Sequence, residues 1–131
     1  MQTKKILIVD DEPMNRMIIS AYLEDINDYA VEAVEIEDGQ ECIEYLQSHD
    51  DVDLIILDHM MPRMDGLSVC QEMVKQNYDI PVIFCTAYQD MAEIIEEKCD
   101  HTKMLTKPFD VELFFEFVYG MFERCESYVG D

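Results

Sequence analysis

Short apolar runs alternate with longer stretches of helical spacing along most of this chain. Ile6-Leu7-Ile8-Val9 is continuously apolar, as a strand buried on both faces would be. Pro13 suits the first turn of a helix, and Met17, Ile18, Ala21 and Tyr22 or Leu23 follow at helical spacing. From Ala30 to Ile36, Val31, Ala33 or Val34 and Ile36 alternate with glutamates, which predicts a more exposed strand. Asp38-Gly39 punctuates its end, and Gln40 to Ser48 offers Cys42, Ile43, Tyr45 and Leu46 as one helix face before Val52 to Leu57 returns to strand. Asp65 is placed to cap a helix carrying Leu67, Val69 or Cys70, Met73 and Val74, and Ile80-Pro81 precedes the strand Val82 to Cys85. Met91 to Lys98 reads as an acidic helix, Lys103 to Thr106 as a last strand and Val111 to Cys125 as a last helix. Five strands and five helices in strict alternation predict an α/β fold of three αβα layers, with a parallel sheet between.

The strand ends carry the chemistry. Asp10-Asp11, Asp58, Thr86 and Lys107-Pro108 each follow an apolar run. In an open parallel sheet the carboxyl ends of the strands lie along one edge, and ligands bind in the crevice there. Three carboxylates, a hydroxyl and an ammonium are therefore candidates for a single site.

Composition narrows the classes. At 131 residues, about half of them apolar, the chain can bury one core. Residues 4–124 read as that core, and 126–131 as a short tail with no output domain. Thirty acidic residues against nine Lys and Arg give a formal net charge of −21, which repels nucleic acid and anionic membranes. The start of the chain leads into a run of only four apolar residues before Asp10, too few for a signal-peptide core or a membrane span, so a cytoplasmic location is expected. Cys42, Cys70, Cys85, Cys99 and Cys125 are odd in number and form no CxxC pair. They suggest buried thiols, not a disulfide framework or zinc site. His49, His59 and His101 lack metal-ligand spacing and read as solvated surface positions.

Asp10-Asp11 after a hydrophobic strand, LDHMMPRMDG around Asp58, Thr86-Ala87 and Lys107-Pro108-Phe109 together resemble the receiver domain of bacterial two-component response regulators, the CheY-like family. Four short motifs in the right order, each at the end of the right strand, carry more weight than any one alone. The resemblance covers about residues 4 to 124 and implies a flavodoxin-like sheet of order 2-1-3-4-5. It implies that Asp58 is the phosphoacceptor, its carboxylate attacking phosphorus to form an acyl phosphate. Asp11, Asp58, Asp10 in the first or second shell and the Met60 carbonyl would hold Mg²⁺, which favours oxygen ligands. Lys107 would supply a point charge to the phosphoryl oxygens, and Thr86 a hydroxyl that moves to meet them. In the family the Lys107-Pro108 bond is cis.

Departures from the family pattern shape the expected behaviour. Met104 stands where an aromatic ring usually reports the movement of Thr86, and Tyr88 is a candidate substitute. Tyr88 and Met60, each two residues past a site residue, are expected to hinder attacking water and lengthen the phosphoryl lifetime. Cys99 to Lys103 lacks the Gly-Ala turn common before the last strand. In the last helix, Val111, Leu113, Phe114, Phe115, Phe117, Val118, Tyr119, Met121 and Phe122 cover more than one stripe. Either the core face is wide, or the fourth helix, last strand and last helix dock another protein or a second copy.

The resulting expectation is a phosphoacceptor switch, not an enzyme turning over external substrates. A histidine kinase or histidine phosphotransfer protein would supply the phosphate, and protein contact would carry the output. Asn15-Arg16 resembles receivers attached to hybrid sensor kinases, so a fragment of such a kinase is the alternative within the family. A phosphorylation-independent scaffold is a second alternative, motivated by Met104. A phosphohydrolase is a third, although its usual DxDGT motif is absent.

Overall fold

The computed structural model describes residues 2–87, 102–107 and 110–130, with side chains through residue 123. The elements run β1 Thr3–Val9, α1 Pro13–Glu24, β2 Ala30–Ile36, α2 Gly39–Ser48, β3 Leu54–Asp58, α3 Gly66–Lys75, β4 Val82–Thr86, β5 Thr102–Thr106 and a last helix Val111–Gly130. The five strands form one parallel sheet of order β2-β1-β3-β4-β5. The expected helix over Met91 to Lys98 lies outside the described residues, so four helices are seen.

Burial follows from strand position. β3 and β4 are buried at every residue, because the interior of a parallel sheet is covered on both faces. β2 is an edge strand, and only Ile36 of its seven residues is buried. Side chains alternate between two apolar layers. One layer joins Leu7, Val9, Ile55, Leu57 and Phe84 to residues of α2 and α3. The other joins Ile6, Ile8, Ile56, Ile83 and Leu105 to α1 and the last helix through Leu23, Phe114, Val118 and Phe122.

The last helix departs from expectation at its end, and its apolar stripe follows the wide-core alternative. The helix continues through Gly130, so the segment from 126 is helix and not a tail. Nothing between Cys125 and Gly130 breaks a helix: there is no proline, and the first glycine is Gly130 itself. Its wide apolar stripe is also largely core. Phe114, Val118, Met121 and Phe122 are buried, while Phe115, Phe117 and Tyr119 pack half-buried against the same layer. Tyr22 and Tyr29 make this possible, with ring centroids 5.8 Å from Phe114 and 4.8 Å from Phe122 respectively. Only Val111 and Leu113 of the stripe stay exposed among its described side chains. No described helix is long and apolar enough to cross a membrane.

Candidate functional site

The sheet order creates the crevice. The chain lays β2 on one side of β1 and β3 on the other, so the connections diverge above the β1/β3 boundary. Parallel register then aligns the site residues. Val9 pairs with Leu57, which places Asp10 beside Asp58. Asp58 pairs with Cys85, one residue before Thr86, and Thr86 pairs with Thr106, one residue before Lys107. Lys107 N–H donates to the Thr86 carbonyl at 2.7 Å and extends that ladder by one step.

One carboxylate oxygen from each of Asp10, Asp11 and Asp58 lies within 4.8 Å of the other two. Asp10 and Asp58 are buried and Asp11 is exposed at the mouth. At such separations each charged pair repels by on the order of 3 kcal/mol in an effective dielectric of about 20. Lys107 offsets part of this: its Nζ donates to Asp58 Oδ1 at 2.5 Å and stands 3.8 Å from Asp10 Oδ2. Burial pushes the Asp58 carboxyl above its ordinary value, the Lys107 hydrogen bond pulls it back, and Asp10 raises it again, leaving it net raised. Burial works against the Lys107 ammonium, yet Asp58 outweighs it and the group is held above its ordinary value. The all-oxygen donor set with one open side fits a hard divalent cation of the Mg²⁺ type.

Asp10 is held from several directions. Its N–H reaches the Ile36 carbonyl at 3.1 Å, and its Oδ1 accepts from Glu12 N–H at 2.9 Å. Its carbonyl accepts from Arg16 Nη1 at 2.6 Å, while Arg16 Nε donates to Glu35 Oε1 at 3.1 Å. Arg16 is itself 8% exposed.

The loop after β3 is closely fitted. A Cβ on Gly66 would lie 2.6 Å from the Asp58 carbonyl oxygen and 2.9 Å from Phe84 Cζ, so only glycine fits there without movement. Met64 N–H donates to the Pro62 carbonyl at 2.8 Å across Arg63, whose φ is 67°. A three-residue turn of that hand is strained for a side-chain-bearing residue. The Arg63 guanidinium pairs with Asp38, tying this turn to the start of α2. Asp38 and Asp65 cap α2 and α3, accepting from Glu41 N–H at 2.9 Å and Ser68 N–H at 2.8 Å.

Asp10, Asp11, Asp58 and Lys107 thus converge by measured distance, and Thr86, 1% exposed, joins them by register. Met60 has its side chain exposed at the mouth. Met104 pairs with Phe84 and packs against the α2/α3 layer, away from the carboxylates. Tyr88, Pro108 and the turn through 101 lie outside the described residues. His59 corrects its expectation as a solvated residue: its ring tilts against Phe84 at 5.5 Å, and Nδ1 is buried without a hydrogen-bond partner. The short Asp58-to-Gly66 connection folds it inward. His49 is exposed, as expected, and stacks on Tyr45 at 3.8 Å, while His101 is not described. Cys42, Cys70 and Cys85 are buried and outside any disulfide, and burial pushes the Cys42 and Cys85 thiols up to about 12. Gly66 lay within the LDHMMPRMDG motif and Arg16 beside Asn15, but neither residue's contact with the site was legible in the sequence. Arg16's position six residues after Asp10 was the available signal, one helical turn into α1 from the strand end.

A response regulator receiver domain profile matches residues 6–119. A probable transcriptional regulator ycf27 of Cyanophora paradoxa is 44% identical over 125 residues, 95% of this chain and 50% of that protein. The DNA-binding dual master transcriptional regulator RpaA of Synechocystis is 36% identical over 127 residues, 93% of this chain and 50% of that protein. The chain therefore spans about half the length of these curated relatives. Among solved structures, response regulator TrrA of Thermotoga maritima in complex with Mg²⁺-BeF is 31% identical, with a TM-score of 0.76 over 90% of this chain and 98% of that one.

Proposed function

The chain belongs to the response regulator receiver family of two-component signalling, and from that premise we propose that it is a Mg²⁺-dependent switch phosphorylated on Asp58. The observation that carries this reading is the placement of the Asp58 carboxylate, with Lys107 Nζ at 2.5 Å and an oxygen of each of Asp10 and Asp11 within 4.8 Å. An Asp58 oxygen attacks the phosphorus of a phosphohistidine on a kinase or phosphotransfer protein. The P–O bond forms as the P–N bond breaks, and the imidazole departs with the bonding electron pair. Asp10, Asp11, Asp58 and the Met60 carbonyl would hold Mg²⁺, which neutralises charge on the phosphoryl oxygens when bound. Lys107 transfers its hydrogen bond from Asp58 to a phosphoryl oxygen, and the Thr86 hydroxyl donates to another.

Hydrolysis of the acyl phosphate is the only turnover in this reading, so the protein is a regulatory phosphoacceptor and not an enzyme for external substrates. The output runs through β5 and the last helix, where Lys103, Phe117 and Gly120 line a groove. A second copy and a different protein are both candidates for that face. The TrrA complex supports a Mg²⁺ and phosphoryl site in a relative, and a cytoplasmic setting with a histidine-based donor accords with the family. The DNA binding named for RpaA belongs to a protein about twice as long, and the charge of −21 disfavours it for this domain alone.

Intact mass after incubation with acetyl phosphate or phosphoramidate tests the reading. One added phosphoryl group that requires Mg²⁺ and disappears in Asp58→Asn is the expected result. A folded protein that gains no adduct from either donor, with or without Mg²⁺, would contradict it.

A further inference from the structure

We infer that Arg16 is a positioning residue for the metal cradle, and that it acts through the backbone of Asp10 and is itself anchored by Glu35. The inference rests on the Mg²⁺ reading above and extends it to two residues that touch neither the ion nor the phosphoryl group. Where β1 ends, the Asp10 carbonyl points to the Arg16 guanidinium, which meets it at 2.6 Å. An arginine buried to 8% exposure is costly to desolvate, and such groups persist where several hydrogen bonds hold them. Here one nitrogen serves the Asp10 carbonyl and another the Glu35 carboxylate at 3.1 Å, so a rigid planar fork spans β1 and β2.

The consequence is geometric. The Asp10 carbonyl belongs to the peptide joining Asp10 to Asp11, so fixing it constrains the positions from which both carboxylates project. Glu12 N–H fixes the Asp10 side chain from the other end at 2.9 Å. Two carboxylates that must converge with Asp58 against their mutual repulsion need such restraint. Lys107 provides a countercharge to the Asp58 and Asp10 side chains but no side-chain hold on the main chain at Asp10–Asp11. Lysine at position 16 would keep the charge yet could not span both acceptors with a planar fork.

Removing the partner that orients a metal ligand commonly weakens metal binding by about 10- to 100-fold. Mg²⁺ titration calorimetry on the whole chain reads this directly, with thermal melting of the metal-free proteins alongside. Arg16→Met is expected to raise the Mg²⁺ Kd about tenfold, with Arg16→Lys recovering only part of the loss. Glu35→Ala, a surface change that leaves Arg16 Nε without its acceptor and leaves the fold intact even if Arg16→Met does not, should also raise the Kd. Glu32→Gln removes the same charge from the same strand and should leave the Kd near wild type. A merely structural arginine would lower the melting temperature without changing the Kd of the folded protein. Arg16 and Glu35 variants that fold and bind Mg²⁺ like wild type would overturn the inference while leaving the Mg²⁺ reading intact. A wild-type chain that binds no Mg²⁺ would overturn both.

Discussion

Asp58 is held by opposing forces, and that balance has a pH signature. Its carboxyl is raised above the ordinary 3.8, chiefly by burial, so the fold accommodates the protonated form better than the ionised one. The stability contribution of a group raised on folding is present below the unfolded pKa and lost as pH rises through the folded pKa. Wild type without metal should therefore lose stability relative to Asp58→Asn as pH climbs above about 4. Melting curves in chelator from acid to neutral pH check this, and a gap between the two proteins that stays constant would contradict it. Gly66 makes a second prediction at this scale, because an added Cβ meets backbone at 2.6 Å. Gly66→Ala should cost about 1–3 kcal/mol in urea unfolding. The Asp residues and Lys107 were legible in sequence because they stand where strand-like runs end, after Val9, Leu57 and Thr106. Gly66 carried no sign of its close contact, since the atoms it meets come from β3 and β4.

Elements were legible where their signals are local. Asp65 announced a helix start and does cap it, and Asp38, read from sequence only as the end of a strand, caps α2 as well, whereas α1 starts at Pro13 after Glu12 without a side-chain cap. Asp65→Ala should destabilise the protein by about 1 kcal/mol in chemical denaturation. Loss of that cap also loosens the first turn of α3, beside the loop carrying Met60. Signals that depend on distant elements misled or stayed silent. The wide stripe on the last helix left a wide core and a docking face both open, because only the fold shows Tyr22 and Tyr29 against Phe114 and Phe122 while Phe117 borders the groove beside β5. Lys4 and Lys5 gave no hint of burial, yet Lys4 lies over Tyr29 and Phe122, and Lys5 over Tyr45, with Asp51 at 2.8 Å. Their apolar stems complete the sheet faces while aromatic rings and a carboxylate receive the charged ends.

For the whole molecule, strand order converts four scattered motifs into one site. Hydrophobic periodicity predicted five strands but could not order them; the order 2-1-3-4-5 was carried by the family resemblance, and the sheet has it. Placing β1 beside β3 sets Asp10 against Asp58, and the remaining register brings Thr86 and Lys107 alongside. A cradle assembled from two separate segments, one after β1 and one at the end of β3, couples ligand binding to global stability. Mg²⁺ at ten times its Kd should stabilise wild type by about 1.4 kcal/mol, visible as a higher melting temperature. Asp11→Asn, which removes one oxygen charge at the mouth, should show a smaller shift at the same concentration.

The central claim is that Asp58 itself carries the phosphoryl group. Borohydride reduction of the phosphorylated protein, followed by peptide mass mapping, reads the position directly because hydride attacks the acyl phosphate carbon and leaves an alcohol. Homoserine at position 58, formed only after incubation with donor and Mg²⁺, is the expected product. Reduction product at Asp10, Asp11 or any other carboxylate, with position 58 unchanged, would contradict it.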